Sequence, residues 1–149
     1  MVNYKFEVAV LPVSDVVRAR TFYEKLGWRL DIYIDGENGS GVAQLTPTGS
    51  PASIIISRDL TDAAAGTSRG FYLIVEDVEE ARADIAGRGV AISEVFHEAN
   101  GGVPSANLEG RIAGLAPERA SYLSFATFSD PDGNEWILQE ITTRLPGRV

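Results

Sequence analysis

The sequence predicts an α+β fold made of two tandem β-α-β-β-β modules. Three observations carry this. A set of residues recurs at one fixed offset, each copy reads as strand, helix and further strands, and the composition is that of a chain able to build a core. Asp15 recurs as Asp77, 62 residues on, and the same offset pairs Val13 with Val75, Val16 with Val78, Ala19 with Ala81, Arg20 with Arg82 and Gly27 with Gly89. Self-similarity at a fixed period marks copies of one supersecondary unit. The 149 residues are 44% hydrophobic and 23% charged. That fits one domain over 1–149, with modules at about 4–58 and 69–142.

The first element is an apolar run from Val8 to Val13, read as a strand. Ser14 or Asp15 can then cap a helix by accepting a backbone N–H. Val16, Ala19, Phe22, Tyr23 and Leu26 recur at helical spacing, and Gly27 suits the left-handed residue just past a helix end. Three strands follow, at about 28–34, 41–47 and 52–58. Asp35-Gly36-Glu37-Asn38-Gly39-Ser40-Gly41 connects the first two, and Thr48-Gly49-Ser50-Pro51 is a tight turn. In the second copy Phe71–Val75 is the strand, Asp77 the cap, and Val78, Ala81 and Ile85 the helical stripe closed by Gly87 and Gly89. Strands are expected near 90–96, 121–129 and 135–141. Asp130-Pro131-Asp132-Gly133-Asn134 joins the last two as a hairpin turn, since proline presets one backbone angle and Asp-Gly-Asn tolerates positive φ. The segment 97–120, rich in glycine and carrying Pro104 and Pro117, reads as a long loop that can act as a lid.

Composition excludes several function classes. There is no cysteine, so no disulfide framework, zinc–thiolate site, iron–sulfur cluster or cysteine nucleophile is available. His97 is the single histidine, which rules out sites built from several imidazoles of one chain. A net charge of −8 with no basic run argues against nucleic-acid binding. Apolar stretches are too short to span a bilayer and no secretory leader is evident, so a cytoplasmic location without membrane partners is expected. There is no Gly-x-Ser-x-Gly elbow and no Gly-x-Gly-x-x-Gly after a strand, so neither a hydrolase triad nor a dinucleotide cofactor is indicated.

Val13-Ser14-Asp15 leading into Phe22-Tyr23-Glu24-Lys25-Leu26-Gly27-Trp28 is the first distinctive stretch. Phe128-Ser129-Asp130-Pro131-Asp132-Gly133-Asn134-Glu135-Trp136 is the second. Together with the tandem modules they resemble the vicinal oxygen chelate superfamily of glyoxalases, bleomycin resistance proteins and extradiol dioxygenases, over about residues 4–142. The resemblance implies an incomplete eight-stranded barrel with outer helices, a ligand in its concave cup, and pairing as a homodimer. It also implies, for the family's enzymes, a divalent cation held by His, Glu or Gln. The positions matching those ligands are Val8, Gly70 and Ile137, with Ala52-Ser53-Ile54-Ile55-Ile56 as the remaining strand. Nitrogen or oxygen donors at about 2.0–2.2 Å are required there, and these side chains supply no imidazole or carboxylate. No metal or other cofactor is therefore expected.

Strand alternation puts Ile137 and Gln139 on one face and Glu140 on the other. With Phe6 and Val8, Tyr72, Tyr122 and Phe125, and Arg111 from the long loop, they are the expected ligand-binding residues. On 121–129 either Tyr122-Ser124-Ala126-Phe128 or Ser121-Leu123-Phe125-Thr127 faces the ligand. An apolar, aromatic lining with few polar groups is the usual makeup of a small-molecule pocket. Arg111 or Arg119 can clamp an anion. The leading reading is a metal-free binding protein for an apolar or aromatic small molecule. One alternative is a glyoxalase-like lyase, isomerase or dioxygenase using an unconventional metal, or His97 with Glu94, Glu98 or Gln139 in acid–base work. The other is a dimeric interaction module with a filled barrel.

Overall fold

Both copies of the repeat fold by the same local rules. In the computed structural model, which describes residues 1–148, Asp15 stands in extended backbone and its side chain accepts the Arg18 N–H, starting α1 (Val16–Lys25). Asp77 does the same for the Glu80 N–H ahead of α2 (Val78–Gly87). Such a cap satisfies a donor that has no partner inside the helix. The ends match too. The Trp28 N–H bonds back to Tyr23 O, and the Val90 N–H to Ile85 O. Between them stand Gly27 at φ 86° and Gly89 at φ 80°, a conformation glycine adopts without steric cost.

The chain forms two compact units. The first comprises Met1–Arg69 and Ser129–Asn134. Its sheet has four strands, β1 (Val8–Pro12), β2 (Arg29–Asp35), β3 (Gly41–Thr46) and β4 (Ser53–Ser57), in the order β1-β4-β3-β2. β1 and β4 run parallel with Val8 beside Ser53, and the other pairs are antiparallel. α1 packs on β3 and β4. Leu11, Ala43, Leu45, Ile54 and Ile56 lie buried with Val16, Ala19 and Tyr23 from the helix. Tyr23 stacks obliquely on Trp28, with ring centroids 4.9 Å apart.

The second unit comprises Gly70–Phe128 and the residues from Glu135 on. Its strands are β5 (Phe71–Val75), β6 (Phe96–Glu98), β7 (Arg111–Ala113), β8 (Phe125–Ser129) and β9 (Glu135–Glu140), in the order β5-β9-β8-β6-β7. Tyr72 lies beside Ile137 and Ile74 beside Gln139 in the parallel β5–β9 pair. α2 packs on β9. Among the described residues the strands number four and five, an open α+β arrangement of the expected kind with one strand more than the repeat implies. Among the described residues no helix is long and apolar enough to cross a membrane.

The differences from expectation concentrate between 90 and 124. The stretch 90–95 is not a continuous strand. Ile92 makes a single bridge to Phe128, and the Ser93 hydroxyl and N–H bond to the Thr127 backbone, so side-chain capping replaces the ladder there. The segment 97–120 is not one long loop, because Arg111–Ala113 folds back as β7 on Phe96–Glu98. β8 starts at Phe125 rather than 121, and Tyr122, at φ 76°, turns the chain just before it.

Candidate functional site

Each sheet has one face covered by its helix and one without. In the first unit the helix-free face follows from register: Val8 and Val10 align with Ser53 and Ile55, and Val42 and Gln44 with Ser57 and Ile55. Ile32 and Ile34 continue it on β2 and are 51% and 60% exposed. Val8 is half-buried, and Phe6, just ahead of β1, stands largely exposed. The face is mostly hydrocarbon, with Gln44, Ser53 and Ser57 among it and one polar group built from several side chains. A register shift between Leu30 and Ile32 leaves Asp31 bulged on β2, the kind of irregularity that re-aims a side chain. Asp31 Oδ2 accepts from the Thr46 hydroxyl, and Thr46 Oγ1 lies 2.6 Å from Ser53 Oγ. Arg29 Nε donates to Asp31 Oδ1 at 2.5 Å. These bonds, Arg29's first, hold the Asp31 carboxyl below its ordinary value.

In the second unit Glu140 settles the faces. It is fully buried and accepts the Val78 N–H at the start of α2, so Trp136, Leu138 and Glu140 face the helix. Glu135, Ile137 and Gln139 turn away from it. Ile137 packs with Phe96 and Phe125, whose rings lie 5.9 Å apart, which selects the Leu123-Phe125-Thr127 register of the two expected. Tyr72 and Ile74 extend the same face and remain part-exposed. Burial, and then Glu135, raise the Tyr72 hydroxyl above its usual value. The guanidinium of Arg111 sits 4.3 Å from the centroid of the Phe96 ring, a cation–π contact.

The other expected residues are held by the fold itself. Gln139 Nε2 donates to the Tyr122 carbonyl at 2.9 Å, and the Tyr122 hydroxyl accepts the Leu145 N–H at 3.0 Å. His97 Nδ1 lies 2.9 Å from Gly114 O. Its neighbour Glu98 projects to the opposite side of β6, and Glu94 pairs with Arg82. His97 is thus oriented by a carbonyl rather than by a carboxylate. Arg119 is not a free anion clamp. It makes a two-pronged bond to Glu140 and reaches Asp77 at 3.1 Å.

Two arrangements escaped the sequence reading. One is the Asp31–Thr46–Ser53 chain, whose signal was the run of polar residues Gln44, Thr46 and Ser53 at positions that alternate with buried hydrocarbon. The other is a buried pair. Glu98 Oε1 and Arg111 Nε stand 4.0 Å apart, and neither has a hydrogen-bond partner. Only the pairing of β6 with β7 brings them together, and nothing local announced it.

The positions that the resemblance assigns to a cation's ligands carry Val8, Gly70 and Ile137, which offer no side-chain lone pair. Ser53 carries the sole side-chain heteroatom of the stretch 52–56, and its hydroxyl is bonded to Thr46. Among the described residues no three His, Asp or Glu side chains gather as a metal would need. The donors present do not fit a divalent ion.

A family model described as Glyoxalase/Bleomycin resistance protein/Dioxygenase superfamily matches residues 5–138. No curated protein matches the chain. Among solved structures it is similar to TnmS3, an antibiotic binding protein from Streptomyces sp. CB03234, at 28% identity and a TM-score of 0.65, covering 95% of this chain and 98% of that one. A glyoxalase/bleomycin resistance protein from the same organism is also 28% identical, with a TM-score of 0.61 and coverage of 91% and 100%. A member of the superfamily from Sphaerobacter thermophilus DSM 20745, 22% identical with a TM-score of 0.66 over 93% and 98% of the two chains, shares the fold.

Proposed function

Since the chain belongs to the Glyoxalase/Bleomycin resistance protein/Dioxygenase superfamily, we propose that it binds an apolar or aromatic small molecule, with an antibiotic the class favoured, and does so without a resident metal. One observation carries the reading. The helix-free sheet faces are mostly hydrocarbon and aromatic with a few polar side chains, and valine, glycine and isoleucine stand at the positions where a cation would need donors. Burial of ligand surface against such a face contributes about 25 cal/mol per Å², and stacking on the part-exposed Tyr72 ring adds about 0.5–1.5 kcal/mol. Arg111 adds a planar cation beside the rings. The likeness to an antibiotic binding protein supports the ligand class. The exposed hydrocarbon of Ile32 and Ile34 supports a homodimer as the working form, and the cytoplasm is the compartment we assign to it.

A thermal-shift panel of aromatic antibiotics tests this. A ligand specific for the folded protein stabilises it by mass action, by about 2.7 kcal/mol at one hundred times its Kd. At least one polycyclic aromatic compound should raise the melting temperature by several degrees in chelator-treated buffer. A panel that leaves the transition unmoved would remove the reading.

A further inference from the structure

The Asp31–Thr46–Ser53 chain has a direction, and the direction specifies a ligand group. Asp31 is acceptor-only as a carboxylate, and a hydroxyl carries a single hydrogen. The Thr46 hydroxyl gives its hydrogen to Asp31 Oδ2. It then has none left for Ser53, so the hydrogen in the 2.6 Å contact between Thr46 Oγ1 and Ser53 Oγ belongs to Ser53. Ser53 in turn has none left to offer outward, and it meets any further group with lone pairs only. The negative end of the chain polarises each hydroxyl in sequence and strengthens the terminal acceptor. Thr46 is buried and Ser53 half-buried, next to Val8 and on the same face as Ile55. The chain therefore ends at the surface of a mainly apolar sheet face, beside Val8, Val10 and Ile55.

We propose that Ser53 is a one-way acceptor within the ligand site of the first unit, so that the preferred small molecule carries a hydroxyl or N–H donor on its apolar or aromatic body and the matching ether or carbonyl is disfavoured. The proposal rests on the binding function proposed above and adds the polarity of one contact. An unmatched ether oxygen would set lone pairs against lone pairs and leave the outward lone pairs of Ser53 unmatched once covered. A donor would restore the bond that Ser53 otherwise makes to water. Arg29 Nε, bonded to the other oxygen of Asp31, keeps the carboxylate charged and the direction set.

The test uses two probes of one ring system, 2-naphthol and 2-methoxynaphthalene, titrated into the whole chain by calorimetry. The wild type should bind the naphthol at least about fivefold more tightly. In Ser53→Ala the two affinities should come within about twofold of each other, which also controls for the extra methyl group. In Asp31→Asn the new amide can donate to Thr46, the chain can reverse, and the preference should vanish or turn towards the ether. Thr46→Val should likewise flatten it. Equal affinities in the wild type, or a naphthol preference that survives Ser53→Ala, overturns the assignment while leaving the binding function standing. If neither naphthalene binds the wild type while the antibiotic panel gives a hit, the Ser53 assignment alone falls. If neither set binds, both fall.

Discussion

The Tyr23 hydroxyl donates to Asp130 Oδ2 at 2.9 Å, a buried bond between residues 107 positions apart. It belongs to a polar knot inside the first unit. Asp130 Oδ1 accepts the N–H groups of Asp132 and Asn134. Asn134 Nδ2 donates to Asp130 Oδ2 and to the Pro12 carbonyl, and Asn134 Oδ1 accepts the Ser68 N–H. Asp-Pro-Asp-Gly-Asn is thus more than a turn. It ties the end of β1, the body of α1 and the stretch after β4 to a hairpin tip, and every polar atom brought inside is matched.

Tyr23→Phe removes one donor and leaves Asp130 Oδ2 with Asn134 alone. We expect a loss of about 1–2 kcal/mol in denaturant unfolding, with an unchanged m-value. Asn134→Ala removes a donor from Asp130 Oδ2 and from Pro12 O, which keeps the Gly66 N–H, and strands the Ser68 N–H, so it should cost more than Tyr23→Phe in the same assay.

Gly66 and Gly70 give a matched pair. Both have φ of 78°, yet a Cβ on Gly66 would lie 1.9 Å from Asp132 O while one on Gly70 meets nothing within 4 Å. Gly70→Ala should cost only the left-handed penalty, about 1–2 kcal/mol. Gly66→Ala must also push the hairpin tip away and should lower the melting temperature by clearly more.

Glu140 gives stability a pH dependence of definite sign. Its bond to Arg119, with the Val78 N–H, holds its carboxyl below the ordinary value in the folded chain. The stabilisation is therefore full above the unfolded carboxyl's titration and is lost as pH falls through the lower, folded value. Asp77, capping α2 and facing Arg119, is shifted the same way and adds to the same acid limb. Glu140→Gln should cost about 2–3 kcal/mol at neutral pH. It should also flatten the fall in melting temperature between roughly pH 5 and 3.

The Glu98–Arg111 pair calls for a double-mutant cycle. Arg111→Met leaves a buried carboxylate with no cation and should cost about 3 kcal/mol. The double variant Glu98→Leu/Arg111→Met removes both charges and should come close to wild-type stability. A double variant that is additive in the two losses would show that the ions do not feel one another.

The fold was readable because its rules are local. Asp15 and Asp77, Gly27 and Gly89, and the alternation of Ile54 and Ile56 against Ser53 and Ile55 depend on near neighbours. Of the expected site residues, Phe125 and Ile137 meet around Phe96, Arg111 lies over that ring, and Tyr72 runs beside Ile137. Phe6 and Val8 lie in the other unit. What the sequence hid depends on pairings far along the chain. β7 on β6 created the Glu98–Arg111 pair, Arg119 found Glu140 across 21 positions, and a single bulge turned Asp31 towards Thr46. Residues 90–95 kept strand-like hydrophobicity but lost the ladder to the Ser93 side chain.

The most direct test titrates the strongest aromatic ligand from the panel into protein stripped with chelator, and again after adding zinc, nickel, manganese or ferrous ion. Metal-free binding predicts a dissociation constant equal within about twofold in every case and less than stoichiometric metal in the purified protein. Binding that disappears on stripping and returns with one equivalent of a divalent ion would contradict it.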